Sequence, residues 1–360
     1  VTEVVEHGEH HAVTGRHHRR GGLKYDNQAL RGHGSRLALK ASEASEASEV
    51  SGVMTLRSWF AGCQNLRVII TPLTGVFAAE VRGLDVRDVA RDVDDRRLDA
   101  LRAAACQHEV LVIRDQNLGP AEQSAFSRRL GPSAETPFVA TMSDFPDVIR
   151  VVKEADEGAA FNFGGAWHSD FSFLEFPPSF TILAAVDVPP WGGDTVFASM
   201  TSAWAALSGD TQARIRQLDG IHTARDAYSR RMQPLHSGMR GMNIVCDDTA
   251  DEVRRHPLVT RHPETGREVL FFNRAYVRDL VSSVRDDGSE EELSSDEAAE
   301  LLRWLHEHTT DVRFTYRHRW VAGDVVMWDN RSVQHNALND YAGFRREMRR
   351  TTVVGQRPAR

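Results

Sequence analysis

A chain of 360 residues, 41% hydrophobic and 26% charged, holds enough apolar material for one large or two small packed domains. No run approaches the ~20 continuous apolar residues of a membrane span, the start lacks the apolar stretch of a secretory signal, and a net charge of −7 leaves no electrostatic footprint for nucleic acid. These features predict a soluble, cytoplasmic protein with neither membrane nor nucleic-acid partners, and they favour small-molecule chemistry. The three cysteines, Cys63, Cys106 and Cys246, are odd in number and far apart, so they offer no disulfide framework and no thiolate metal site.

Residues 1–53 differ from the rest. They carry His10-His11, His17-His18 and a tandem Ala-Ser-Glu repeat from Ala41 to Glu49, with few large apolar side chains to bury. Such a segment cannot offset its own ordering entropy, which predicts a disordered, solvated tail followed by a single domain over 54–360. Val68-Ile69-Ile70 and Ala78 to Val81 read as short strands around a turn at Pro72 to Gly75. Asp94 is placed to cap a helix from Arg96 to Gln107, in which Leu98, Leu101 and Ala105 recur at helical spacing. Val110 to Ile113 reads as a buried strand, and a second helix is expected from Ala121 to Leu130, stopped by Gly131-Pro132. Ile182 to Val188, Thr195 to Ala198, Val269 to Phe272, Val312 to Tyr316 and Asp324 to Trp328 are strand-like, and Asp296 to His308 is helical with Leu301, Leu302 and Leu305 on one side. Many short strands split by Gly and Pro turns predict an α+β fold with a jelly-roll core, a double-stranded β-helix, flanked by helices.

The candidate chemistry starts at Trp167-His168-Ser169-Asp170. On an extended segment, residues i and i+2 project from one face, so His168 and Asp170 can reach the same ion. One distant histidine, His335 in Gln334-His335-Asn336, would complete the two-histidine, one-carboxylate face of non-haem Fe(II) oxygenases and leave the other side of the metal open. Alone, a His-x-Asp triplet says little, because most such pairs are surface groups or hydrogen-bonded neighbours. A rival, His262-Pro263-Glu264, sits in a Pro/Gly turn, where its side chains are expected to splay toward solvent. His306 and His308 do not share a helix face, and His222, His236, His256 and His318 are expected to be structural or surface histidines. In the segment Arg345 to Arg350, alternation puts Arg346, Met348 and Arg350 on one face and Arg345, Glu347 and Arg349 on the other. Only one face can serve a pocket, and a solvated basic strand is the plain alternative.

Gly323 to Arg331 reads as a turn, strand and turn that deliver His335 from a second strand. With Trp167 to Asp170, Gly192-Gly193-Asp194-Thr195, Trp328-Asp329-Asn330-Arg331, Gln334-His335, Asn339-Asp340-Tyr341 and the arginine segment, the chain resembles the taurine dioxygenase-like family of Fe(II)- and 2-oxoglutarate-dependent oxygenases over Val68 to Pro358. The resemblance implies that His168, Asp170 and His335 ligate the iron. It further implies that Thr195 and Arg346 hold the distal carboxylate of 2-oxoglutarate, a task suited to a guanidinium fork and a hydroxyl, and that Arg350 faces an anionic head group. Fe(II), with 2-oxoglutarate and O2 as co-substrates, would hydroxylate a small anionic molecule such as a sulfonate, sulfate ester or carboxylate, releasing succinate and CO2. Hydroxylation beside a sulfonate, ether or amine would cleave the substrate. Asp170, kept where halogenating relatives carry a small residue, favours hydroxylation. A homodimer or tetramer is the assembly the resemblance implies. The polar anchors of taurine-oxidising members correspond here to Glu135-Thr136-Pro137-Phe138 and to Gly164, so a larger, less polar substrate than taurine is expected. Phe161, Phe163, Phe171 and Phe173 either line its pocket or are plain core. A metal-dependent hydrolase on a similar barrel is an alternative, but it leaves Thr195 and Arg346 without a role; a non-catalytic metal-binding sensor is another.

Overall fold

The computed structural model describes residues 54–55, 68–92, 95–158, 162–283 and 293–360. The expected tail over 1–53, the Asp94 cap and Phe161 lie outside them. An eight-stranded sheet runs in the order Met54–Thr55, Ile69–Pro72, Ala79–Arg82, Val110–Ile113, Val325–Asp329, Phe180–Asp187, Arg346–Val353, Ile149–Lys153. Its one parallel pair joins Ala79–Arg82 to Val110–Ile113, and the helices Val86–Arg91 and Arg96–His108 make the crossover that a parallel connection needs. A three-stranded sheet runs Thr315–His318, Thr195–Ser199, Val333–Ala337. Two smaller sheets join Val277–Ser282, Leu218–Thr223 and Val253–Pro257, and Val259–Arg261 with Glu268–Leu270. The architecture is therefore mixed helix and sheet. Among the described residues, no helix is long and apolar enough to cross a membrane.

Side chains alternate across a strand, and this alternation splits the large sheet into two apolar faces. Leu111, Ile113, Phe180, Ile182, Ala184, Val325 and Met327 pack against the helices, including Leu98, Leu101, Phe126 and Leu130. Val110, Val112, Leu183, Ala185, Val326, Trp328 and Met348 point the other way and meet Phe197 and Val333 of the three-stranded sheet. The Val325–Asp329 strand is buried at every position because both faces are covered. Each large aliphatic side chain fully buried there is worth ~1.5–3 kcal/mol. The site described below opens along the seam where the two sheets face each other.

Local signals account for most element ends. Ser294 and Glu297 form a capping box at the start of Ser295–Thr309. Pro120 begins Pro120–Leu130, where the Gly119 N–H donates to the Glu122 carboxylate at 2.8 Å. Several expected strands shift at their ends by one to three residues. Val312–Phe314 is a 3-10 turn because Asp311 accepts from the Arg313 N–H, so the strand is Thr315–His318. The strand expected over Val269 to Phe272 is Glu268–Leu270.

Candidate active site

His168 and His335 come together through the backbone. The His168 N–H donates to the His335 carbonyl at 3.0 Å and the His335 N–H donates back at 2.7 Å, an isolated antiparallel bridge at the edge of the three-stranded sheet. Residues directly opposite in such a pair project from the same face, and the two imidazole centroids lie 4.1 Å apart. The expected extended segment is thus a single bridge residue, and a turn begins at Asp170. Phe171 adopts φ 46°, a left-handed conformation that an aromatic residue rarely takes. It bends the chain immediately after Asp170, whose Oδ1 is 3.6 Å from Nε2 of His168. Ligating atoms of His168, Asp170 and His335 all lie within 4.8 Å of one another, and all three residues are buried.

The donor set suits a divalent metal. Nδ1 of His168 faces the Ala166 carbonyl at 2.7 Å, so it carries the proton and leaves Nε2 a free lone pair. Burial, followed by the neighbouring His168, pushes the pKa of His335 well below 6.5, so its ring is neutral at pH 7; its buried Nδ1 has no hydrogen-bond partner. The ring is held by Trp328 at 4.7 Å and Phe197 at 5.9 Å. Burial alone would raise the pKa of Asp170, but the Arg350 charge and the two histidines outweigh it and hold the carboxylate well below its usual range. Gly164, at φ 76°, takes a left-handed conformation that side-chain-bearing residues rarely adopt, and its backbone lies against the His168 ring.

Arg346 and Arg350 leave one face of Arg346–Val353, as alternation requires; Arg350 lines the cavity over His168 and Asp170, whereas Arg346 lines a smaller cleft that shares Phe163 with it. Arg350 donates Nη1 to Asp170 Oδ1 at 3.0 Å and lies between Phe163 and Phe171, 5.4 and 5.2 Å from their ring centres. Its Nε and Nη2 are buried without a hydrogen-bond partner, and the same is true of Nε and Nη2 of Arg346. An unpaired buried guanidinium is costly, and a ligand carboxylate or sulfo group is the kind of partner that would relieve it. Trp320 joins Arg346 to Thr195. Its ring centre is 5.8 Å from the Arg346 guanidinium carbon, and its indole N–H donates to the Thr195 hydroxyl at 3.0 Å, leaving the hydroxyl proton free to donate elsewhere. Gly193, at φ 69°, allows this packing, since a Cβ there would approach Arg346 Cδ to 3.3 Å. The other face of the arginine strand does different work: Arg345 donates to Glu347 at 2.5 Å, and Arg349 donates to the Leu118 carbonyl at 2.8 Å.

A pocket of about 490 Å³ opens over His168, Asp170 and Arg350. Phe163, Phe171, Tyr228 and Tyr276 are among its walls, whereas Phe173 packs behind them against Tyr276, with ring centres 4.9 Å apart. Tyr228 is held by stacking on Phe138 at 5.1 Å, and Tyr276 stands edge-on to His168 at 6.3 Å. Neither tyrosine carries a sequence signal; each lies in a stretch without a motif.

The rival triplet is corrected by the structure. The His262 side chain is fully buried, not splayed to solvent, because its Nε2 meets Asp329 Oδ2 at 2.9 Å inside the core. Cys106, His262 and Asp329 also form a compact group. It has no character of a cation site: Arg331 donates to Asp329 through Nε and Nη2 at 2.7 and 2.6 Å, and Glu264 takes both Arg102 and Arg331. Burial, with the Asp329 charge, pushes the Cys106 pKa far up, so it stays a thiol. His222, His236, His256 and His318 are all buried. His222 lies 3.1 Å from the Ser172 hydroxyl and His256 lies 2.9 Å from the Leu174 carbonyl, which are structural roles.

The sequence profile of the family described as taurine catabolism dioxygenase TauD, TfdA family matches residues 69–352. The chain is 33% identical over 311 residues to an alpha-ketoglutarate-dependent 2,4-dichlorophenoxyacetate dioxygenase of Cupriavidus pinatubonensis, covering 80% of this chain and 98% of that one. It is 32% identical over 286 residues to an alkylsulfatase of Acinetobacter baylyi, covering 79% and 84%. A crystal structure of a taurine dioxygenase from Burkholderia xenovorans superposes with a TM-score of 0.64 at 29% identity, covering 81% of this chain and 92% of that one.

Proposed function

The chain belongs to the TauD, TfdA family and is an Fe(II)- and 2-oxoglutarate-dependent dioxygenase; on that premise we propose that His168, Asp170 and His335 hold the iron, Arg346 and Thr195 hold 2-oxoglutarate, and Arg350 holds an anionic organic substrate. The observation that carries this assignment is the compact His-Asp-His group with Arg350 on Asp170, together with a second buried arginine, Arg346, on the same strand face; both arginines keep nitrogens without a partner. A hydrolase or a metal sensor would leave Arg346 and Thr195 without a role. We read the two facing sheets as a jelly-roll core with the site in its mouth.

Bound at this site, Fe(II) with 2-oxoglutarate and O2 supplies an oxidation in which the ketoacid leaves as succinate and CO2 and one oxygen atom enters a substrate C–H bond. The protein supplies the rest. Arg346 and the Thr195 hydroxyl orient the distal carboxylate of the ketoacid. Nε2 of His168, whose Nδ1 is turned to the Ala166 carbonyl, and the neutral ring of His335 would offer lone pairs to the metal. Arg350 anchors the substrate by its charged end, and Phe163, Phe171, Tyr228 and Tyr276 exclude water around its body.

The pocket suits an organic anion with an apolar portion, in keeping with relatives named for a phenoxyacetate and for alkyl sulfates. In an alkyl sulfate or aryloxyacetate, the C–H bond attacked would lie beside the ether or ester oxygen. The hydroxylated carbon then collapses to a carbonyl and expels sulfate or the phenol. Taurine is disfavoured, because Glu135-Thr136-Pro137-Phe138 and Gly164 stand where the family resemblance puts its polar anchors. Succinate release measured with medium-chain alkyl sulfates, alkylsulfonates, phenoxyacetates and taurine tests this reading. Strong stimulation by one of the apolar anions and little by taurine is expected; stimulation by taurine alone would overturn the substrate assignment.

A further inference from the structure

The two carboxylate oxygens of Asp170 have different surroundings. Oδ1 faces His168 and accepts from Arg350, while Oδ2 accepts from the Thr181 hydroxyl at 2.7 Å. The Thr181 oxygen in turn accepts from Asn330 Nδ2 at 2.7 Å. A threonine hydroxyl has one proton to give. With Asn330 donating to its oxygen, that proton is committed to Asp170 Oδ2. The Asn330 amide is itself fixed, because its Oδ1 accepts the Trp328 indole N–H at 2.9 Å and the Asp170 backbone N–H at 3.3 Å. The result is a closed ring from the Asp170 backbone through Asn330 and Thr181 to the Asp170 carboxylate. Thr181 and Asn330 are buried, at 0% and 2% exposure, so water does not compete for these bonds.

We infer that Thr181 and Asn330 are positioning residues for the metal ligand: they tie up Oδ2 of Asp170, so that Oδ1 alone is presented toward the two histidines. The inference rests on the assignment of His168, Asp170 and His335 as Fe(II) ligands. It gives Trp328-Asn330 a role that the Trp-Asp-Asn-Arg motif did not disclose. Trp328 packs on His335 and orients Asn330, so one short segment steadies two of the three ligands. Without the ring, the carboxylate is free to rotate or to present both oxygens, and the site loses its preorganisation.

The test is the Fe(II) dissociation constant, measured anaerobically against a competing chelator, for the parent, Thr181→Val and Thr181→Ser, with thermal unfolding of each metal-free protein recorded alongside. Valine keeps the shape and removes the hydroxyl, whereas serine keeps the hydroxyl. Thr181→Val is expected to bind Fe(II) about 10–100-fold more weakly, with Thr181→Ser close to the parent. Asn330→Ala, which removes the donor one step farther back, is expected to weaken binding in the same direction and serves if the valine variant does not fold. Parent-like affinity in Thr181→Val, or equal weakening by valine and serine, would overturn the positioning role while leaving the ligand assignment intact. Failure of the parent to bind Fe(II) would remove both.

Discussion

Arg346 and Arg350 leave the same strand face four residues apart, yet their surroundings differ. Arg346 lies beside Trp320 and Tyr341 without a hydrogen-bonded carboxylate, whereas Arg350 already spends one nitrogen on Asp170. Arg346→Ala is expected to weaken 2-oxoglutarate binding by about 2–5 kcal/mol, the usual loss when one partner of a buried charge pair is removed; calorimetric titration checks it, and an unchanged affinity would contradict the assignment. Thr195→Val should weaken the same equilibrium by only about 0.5–1.5 kcal/mol, since a single hydrogen bond is lost. Arg350→Ala, which also removes a donor to Asp170, should raise the substrate KM more steeply than it weakens ketoacid binding, the reverse of Arg346→Ala, so the two arginines are distinguished by which ligand is lost more. At this scale the sequence carried a good deal. The spacing of His168 and Asp170 and the alternation of the arginines were readable. The burial of His262 was not, because a Pro/Gly turn in sequence gives no sign that Asp329, 67 residues away, waits inside to accept its ring.

At the scale of elements, legibility followed the source of stability. Arg96–His108, Val110–Ile113 and Ser295–Thr309 show their own periodicity and stand where their residues place them, although Asp95, without a side-chain cap bond, begins the first. Leu218–Thr223 and Val277–Ser282 gave no such signal. Leu218–Thr223 carries Asp219 and His222, polar residues that break the apolar pattern. They are nonetheless buried, because Arg255 donates to Asp219 at 2.7 Å and Ser172 lies beside His222. Compensation of that kind is visible only in space. Glu109, at the junction of Arg96–His108 with the next strand, offers a test at this scale. Burial pushes its pKa up from 4.5 to about 7, against the hydroxyl of Ser199 and the charge of Arg267, which act to lower it. The folded state therefore holds this proton to higher pH than the unfolded chain does. Stability falls as pH rises from about 4.5 to about 7 and is level beyond. Glu109→Gln removes that dependence, so its unfolding temperature should drop less than the parent's between pH 5 and pH 8; parallel curves would contradict the burial argument.

For the whole molecule, the site exists because two sheets whose strands interleave along the chain face each other. His168 comes from an irregular loop, His335 from one sheet and Arg346 and Arg350 from the other, and the backbone bridge between His168 and His335, flanked by bonds from the Ala337 N–H to the Gly164 carbonyl and from the Ser169 hydroxyl to the Val333 carbonyl, joins the loop to the strand. Neither periodicity nor spacing encodes that meeting. The family pattern does, and it spans residues 69–352. Every residue assigned to metal, ketoacid or substrate lies inside that span, so removal of residues 1–53 is expected to leave Fe(II) and 2-oxoglutarate affinities unchanged; a loss of either would bring the segment into the functional unit. The most direct test of the whole assignment is an anaerobic titration of the protein with Fe(II) and 2-oxoglutarate followed by visible absorption, in the parent, His168→Ala and Arg346→Ala. A weak metal-to-ligand charge-transfer band that requires both additions, and that is lost or greatly weakened in either variant, is the predicted result. A folded, iron-loaded parent without that band, or a band that survives both substitutions undiminished, would contradict it.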